Sequence, residues 1–207
     1  MSKDQFIHTM GSGAQEMGLN LDEKILEKFF RYYSELQRWN QNINLVSRKE
    51  PNWVRAHFLD SLAPLGMGLV PKSGQVLDLG AGAGFPGVPL GMASPGLFVD
   101  LAEASGKKCA WLKHLLRVLD MEQCAVLEGR FEMLLLDRGA AGAYDLAVTR
   151  AAAQPAKVIQ EAEPFLRPGG RLLVYTTKGL AGRNEGKVYP YTIPGSKGPS
   201  VIWEVRF

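Results

Sequence analysis

The stretch that decides the fold is VLDLGAGAGFPGVPL, Val76 to Leu90: an apolar run, an aspartate, four glycines in eight residues and two prolines. A short apolar run that stops at glycine reads as a strand buried on both faces. Glycines at its end permit positive φ and let a ligand approach the backbone, and a helix starting there opens with unpaired N–H groups. Pro86 is compatible with the first turn of that helix.

Working outward, short apolar runs alternate with helical stretches. Strands are predicted at Val76–Leu79, Leu97–Leu101, Ala125–Leu127, Asp145–Val148 and Arg171–Thr176, with helices near 86–93, 105–119 and 155–166. Such alternation implies βαβ units with right-handed crossovers, hence an α/β, doubly wound, mostly parallel sheet. Ligands of such sheets sit beyond the carboxyl ends of the strands where strand order reverses, and the glycine loop falls there. At the far end, Val188–Ile193 and Val201–Phe207 flank Pro194–Pro199 and predict an antiparallel hairpin on the sheet edge.

Residues 1–70 read as an N-terminal helical extension, and 71–207 as the domain proper. A first helix carries Phe6, Ile7, Met10, Ala14 and Met17, interrupted by Gly11 and Gly13. A second runs from Asn20, with Asn20 and Glu23 as a capping box and Leu21, Ile25, Phe29, Tyr33 and Leu36 as its apolar stripe. A third follows Pro51 through Val54, Phe58, Leu62 and Leu65.

Composition narrows the class. The chain has 207 residues, 46% hydrophobic and 22% charged, with mean hydropathy -0.08, as expected for a soluble globular protein. A net charge of +3 means that any basic footprint has to come from clustering. No run approaches the ~18 consecutive apolar residues of a membrane span, and the first thirty residues lack signal-peptide character, so a cytoplasmic location without membrane contact is expected. Cys109 and Cys124 form no CxxC pair, and His8, His57 and His114 are scattered, so free thiols and no metal site are expected.

The loop letters fit two ligands. Gly80, Gly82 and Gly84 form GxGxG, while Gly82, Gly84 and Gly87 satisfy GxGxxG, as for an adenosyl cofactor or a dinucleotide. Glu103 ends the second strand 23 residues beyond Gly80, where a carboxylate can accept both ribose hydroxyls of a nucleoside. Asp78, just before the first glycine, would repel a pyrophosphate but suits the ammonium of a methionine moiety, which favours a sulfonium cofactor. LRPGGRLLVY, Leu166–Tyr175, resembles the helix, PGG turn and strand late in many S-adenosylmethionine-dependent methyltransferases.

The end of the fourth strand separates methyl acceptors. Val148-Thr149-Arg150-Ala151 stands where exocyclic-amine enzymes resemble (D/N/S)PP(Y/F/W), and neither cysteine follows a proline as the nucleophile of cytosine-C5 enzymes does. Acceptors that are nucleophilic without deprotonation remain, guanine N7 among them. Catalysis would then be positioning, with the acceptor nitrogen about 3 Å from the methyl carbon, and no side-chain base is required. Arg150 is read as gripping phosphate or orienting the cofactor.

WNQNINLVS (Trp39–Ser47), HFLDSL (His57–Leu62), DLGAGAGFPGVPL (Asp78–Leu90), SGKKCAWL (Ser105–Leu112), VTRA (Val148–Ala151) and TKG (Thr177–Gly179) occur together. In order and spacing the chain resembles, from about residue 20 to 180, the bacterial small-subunit ribosomal RNA guanine-N7 methyltransferases, the RsmG or glucose-inhibited division protein B family. The resemblance implies the class I S-adenosylmethionine-dependent methyltransferase (Rossmann-like) fold. It also implies transfer of a methyl group from S-adenosylmethionine to guanine N7 in the 530 loop of 16S rRNA. The expected partner is that RNA in the 30S subunit or an assembly intermediate, and the expected state is a monomer. It puts Gly80 and Phe85 against the cofactor, Glu103 on its ribose, Phe131 and Glu132 beside the adenine, and Arg150 at its reactive end. Phe131, which opens the apolar run Phe131–Leu136, reads equally well as a core residue. A methyltransferase with another acceptor and a non-catalytic nucleotide-binding module stay open as alternatives.

For RNA phosphates the expected contacts are Arg48, Lys49, Arg55, Lys178 and Arg183, which flank the expected cofactor mouth. Lys107, Lys113, His114 and Arg117 lie opposite the apolar stripe of their helix and read as a solvated face. His57 and Asp60 read as a buried polar pair docking the extension on the sheet. The chain departs from the family pattern in the short connection 180–187, where members usually carry a helix and this one has no room for a crossover.

Overall fold

The computed structural model describes residues 1–138, 140–150, 155–176, 186–196 and 198–207. Three helical segments precede the sheet. Helix α1 (Lys3–Glu16) starts at a capping box of Ser2 and Gln5, and runs unbroken through both glycines. Gly13 is where the backbone packs tightly, since a Cβ there would lie 2.5 Å from Leu59 Cδ1. Helix α2 (Glu23–Trp39) is capped by Asp22, whose side chain accepts the Ile25 N–H at 2.8 Å. The cap is therefore Asp22 rather than Asn20, because Asp22 is the residue that immediately precedes the first helical turn. A π-helical turn over Val54–Leu59 passes directly into α3 (Asp60–Gly66).

The sheet holds seven strands: β1 (Gly74–Leu79), β2 (Leu97–Glu103), β3 (Cys124–Glu128), β4 (Tyr144–Thr149), β5 (Leu166–Thr176), β6 (Lys187–Tyr191) and β7 (Ser200–Arg206). Their order is β3-β2-β1-β4-β5-β7-β6. The first five are parallel, and β7 enters antiparallel between β5 and β6, so the expected terminal hairpin closes the sheet edge. Strand order reverses at β1, between β2 and β4, as a doubly wound sheet requires.

Alternation along the strands sorts side chains into two cores. Val76, Val99, Leu146, Val148 and Leu173 join one cluster with the N-terminal helices, α4 (Gly87–Ala93) and α5 (Gly106–Val118). Leu77, Leu79, Ala102, Ala147, Leu172 and Val174 join the other, with Leu134 of α6 (Phe131–Arg138) and Ala162 of α7 (Pro155–Ala162). Side chains two apart point to one face, so each central strand feeds both layers.

Strand bounds shift by one or two residues throughout, and three differences from the sequence reading are larger. The apolar run after β3 is a helix, α6, where only a run was marked. The helix expected over 155–166 stops at Ala162, followed by a 3-10 turn Glu163–Phe165, because Pro164 cannot donate to the preceding turn. Strand β5 starts at Leu166 rather than Arg171. Tyr144 pairs with Leu166 and Leu146 with Arg171, so the Arg167–Gly170 turn loops out of the ladder between them.

Candidate functional site

The loop after β1 takes its shape from glycine. Gly80, Gly82 and Gly84 have φ of 75°, 58° and 104°, a region that side chains avoid. A Cβ on Gly80 would meet open space, whereas one on Gly84 would lie 2.7 Å from Tyr32 Oη and one on Gly87 2.7 Å from Asp78 Oδ2. Gly80 thus leaves a bare backbone face, while Gly84 and Gly87 let the loop pack down. Underneath, the Ala83 carbonyl accepts both Tyr32 Oη (2.7 Å) and Trp111 Nε1 (2.9 Å), which anchors the loop to α2 and α5.

Asp78 is fully buried, with Oδ2 accepting the Gly87 N–H at 2.7 Å and Oδ1 left without a partner. Burial pushes its pKa up to about 7, against the opposing pull of the Gly87 N–H and the Arg150 charge. Glu103, at the end of β2, accepts the Gly82 N–H on Oε2 (3.0 Å) and the Ser105 N–H on Oε1 (2.9 Å). A carboxylate so held is oriented and still has lone pairs for a ligand.

A cavity of about 280 Å³ opens beside Glu103. Gly80, Glu103, Phe131 and Glu132, all named from the sequence, line it together. Gly129, Arg130, Lys157 and Glu161 also line it and were missed. Gly129, with φ of 153°, had a legible signal as a glycine ending β3, whereas Lys157 and Glu161 arrive from α7, which no local pattern connects to β1. Phe131 serves both readings offered for it, since it lines the cavity and packs edge-on to Phe165 at 6.5 Å.

Arg150, at the end of β4, faces the helical extension. Its guanidinium pairs with Asp60, donates to the Ala56 carbonyl at 2.6 Å and the His57 carbonyl at 3.3 Å, and lies 5.9 Å from the Phe85 ring centroid. Asp60 Oδ1 in turn accepts Tyr191 Oη at 2.6 Å, and Tyr175 Oη donates to the Ser61 carbonyl at 2.8 Å. Asp60 therefore does dock the extension on the sheet, but its partners are Arg150 and Tyr191 instead of His57. The His57 ring stacks on Phe85 (5.3 Å, 25°) with Nε2 buried and unpartnered. Burial, and then the Arg150 charge, lower its pKa to about 4, so it is neutral at pH 7. Phe85 is buried among Tyr32, His57 and Phe58, joining loop to extension.

Among the residues expected to meet RNA, Arg48 donates to the Asn40 and Gln41 carbonyls at 2.9 Å and so also closes the end of α2. Lys49 is exposed. Arg55 borders a second cavity, of about 420 Å³. Lys178, Arg183, the TKG segment and most of the connection 180–187 lie outside the described residues. Of the face of α5 read as solvated, His114 is instead docked, its Nε2 lying 2.7 Å from Glu35 Oε2 on α2, whereas Lys113 stays exposed in an ion pair with Glu128. Among the described residues no group of three or more His, Cys, Asp or Glu could hold a metal ion, and no helix is long and apolar enough to cross a membrane.

Solved structures share this fold. A SAM dependent methyltransferase from Aquifex aeolicus aligns with a TM-score of 0.56 over 84% of this chain and 97% of that one, at 14% identity. M. jannaschii TYW2 in complex with AdoMet aligns with a TM-score of 0.52 over 67% of this chain and 69% of that one, at 12% identity. Sequence relatives are nearer. Ribosomal RNA small subunit methyltransferase G of Roseiflexus castenholzii is 41% identical over 162 residues, 77% of this chain and 68% of the relative. Its namesake from Xanthomonas euvesicatoria is 38% identical over 207 residues, covering 94% of each. Residues 25–189 match the family GidB, rRNA small subunit methyltransferase G, and the chain belongs to that family.

Proposed function

We propose that this chain transfers a methyl group from S-adenosylmethionine to N7 of a guanine in the 530 loop of 16S rRNA, within the 30S subunit or an assembly intermediate. Residues 71–207 form the methyltransferase domain and 1–70 its extension, and the protein works as a cytoplasmic monomer. The observation that carries the reading is the convergence of Gly80, Glu103, Phe131 and Glu132 on one cavity at the strand ends of a chain in this family.

The residues present fit that cofactor. Glu103, fixed by two backbone amides, has lone pairs left for the ribose hydroxyls. Phe131 offers an aromatic edge and Glu132 an acceptor for the adenine end of the cavity. The bare backbone at Gly80 admits close approach, whereas Asp78 lies fully buried beneath the loop, outside the cavity lining, where it accepts the Gly87 N–H and shapes the loop instead of meeting the ammonium group expected of it. When bound, the cofactor supplies an electrophilic methyl group on a cationic sulfur.

The chain's own residues then position and exclude water. Guanine N7 carries its lone pair in the plane of the base, so no side chain has to remove a proton. Arg150, held by Asp60 and two carbonyls, lies over Phe85 of the loop, whose ring is packed among Tyr32, His57 and Phe58. Binding energy goes into alignment.

The test is incubation of the purified protein with methyl-labelled S-adenosylmethionine and either 30S subunits or free 16S rRNA. Label recovered as 7-methylguanosine after nuclease digestion is the expected result. Label in another nucleotide, or none in either substrate, would contradict the reading.

A further inference from the structure

The second cavity, of about 420 Å³, lies between Glu50–Asp60 and the turn joining β6 to β7. We infer that it is the acceptor pocket, which takes one guanine nucleotide extruded from RNA, with Glu50 reading the base and Arg55 holding its phosphate. This inference rests on the function proposed above.

Strand β7 begins where β5 ends, with Thr176 opposite Val201, so the β6–β7 turn stands on the same sheet edge as the glycine loop. One wall of the cavity is Asp60. Asp60 holds Arg150, and Arg150 lies over Phe85 of the loop. Two side chains thus connect this cavity to the loop that borders the cofactor cavity.

Arg55 is partly buried, with its guanidinium against the turn: a Cβ on Gly195, whose φ is 70°, would lie 2.6 Å from Arg55 Cζ. Asn52 Oδ1 accepts the Arg55 N–H at 3.1 Å and Glu50 Oε1 accepts the Asn52 N–H at 3.0 Å, so acid, amide and cation are set on one short turn. The volume lies within the ~300–1,000 Å³ typical of small-ligand sites, enough for a single nucleotide. Enzymes that modify a base take it out of the stack.

Guanine carries adjacent donors, N1–H and the N2 amine, on its Watson–Crick edge, and an ionised carboxylate is an acceptor on both oxygens. Adenine presents an acceptor at N1 and would be repelled. Asp60 is committed to Arg150 and Tyr191, which leaves Glu50 as the lining carboxylate for this role. A base held by that edge keeps N7, on its opposite edge, free to meet a methyl donor.

The test compares Glu50→Gln, Arg55→Ala and Gly195→Ala with the wild type, using purified 30S subunits and labelled S-adenosylmethionine, with cofactor affinity measured for each protein by calorimetry. Cofactor affinity should stay unchanged, which also reports correct folding. Methylation kcat/KM should fall about 10- to 100-fold in Glu50→Gln and Arg55→Ala. Gly195→Ala, which moves the guanidinium while keeping its charge, should raise KM in the same direction as Arg55→Ala. The sign for Glu50 is diagnostic, because an acid merely near RNA slows association and its neutralisation would raise kcat/KM. Wild-type kcat/KM in Glu50→Gln or in Arg55→Ala, a rise in Glu50→Gln, or weakened cofactor binding in either would overturn the pocket. A wild-type protein that binds cofactor but labels no RNA would instead overturn the proposed function, and the pocket with it.

Discussion

The cavity around Glu103 and the junction around Arg150 sit on the same sheet edge, yet they are built in opposite ways. The cavity uses strand ends, glycine backbone and a carboxylate steered by neighbouring amides. The junction joins Arg150 and Tyr191, which lie 90 and 131 positions beyond Asp60 in the chain, to that one buried carboxylate on the helical extension. The cavity is lined mainly by residues at strand ends, and the extension is held by parts that only the folded chain brings together. Substitutions in the two regions should therefore separate affinity from stability.

The largest effect is expected at the junction. Asp60→Ala leaves the Arg150 guanidinium buried without its counter-ion and Tyr191 without its acceptor, and should cost about 3 to 5 kcal/mol. Urea denaturation reads this directly; a loss under about 1 kcal/mol would remove the junction from its place in the comparison.

A pH-dependent effect comes next. With its pKa lowered to about 4 from 6.5, His57 contributes stability that is present above pH 6.5 and lost as pH falls toward 4. Asp78, raised from 3.8 to about 7, works the other way, and its contribution declines as pH rises across that window. The two slopes offset each other in the wild type. His57→Phe keeps a ring against Phe85 and removes one slope, so going from pH 8 to pH 5 should favour the variant over the wild type by about 2 kcal/mol. Parallel wild-type and variant stabilities across that range would show that His57 is not held neutral.

The smallest effect belongs to the anchor under the loop. Tyr32→Phe deletes one of two donors to the Ala83 carbonyl while Trp111 still satisfies it, which predicts a loss of about 0.5 to 1.5 kcal/mol. Thermal melting is a sufficient readout, and a larger loss would mean that Tyr32 supports more than one carbonyl.

Legibility in the sequence followed the same division. The doubly wound sheet, its terminal hairpin, Gly80 and Glu103 could be read because short apolar runs and glycine or an acid at strand ends are local signals, whereas Phe131 and Glu132 came only from the resemblance to the family. Helix α6 escaped because its run of Met133, Leu134, Leu135 and Leu136 has no clear period, two of these side chains being exposed. Asn20 reads as the cap of α2 because it is a good capping residue with an acid three positions on, but the first-turn geometry gives that role to Asp22, which was missed. The partners of Asp60 could not be found from spacing, since Arg150 and Tyr191 arrive from β4 and β6 through tertiary packing alone. Tyr32 was missed beside Tyr33 because adjacent residues on a wide apolar face are both buried, and the one that touches the loop depends on how α2 lies across it.

Glu103 is proposed to belong to a cofactor cavity, and Asp60 to the scaffold beside it. Calorimetric titration of S-adenosylmethionine into the wild type, Glu103→Ala and the milder Asp60→Asn tests both halves at once. The expected result is affinity weakened by about 1.5 to 3 kcal/mol in Glu103→Ala, and unchanged in whatever fraction of Asp60→Asn is folded. Wild-type affinity in Glu103→Ala, or a loss confined to Asp60→Asn, would contradict it.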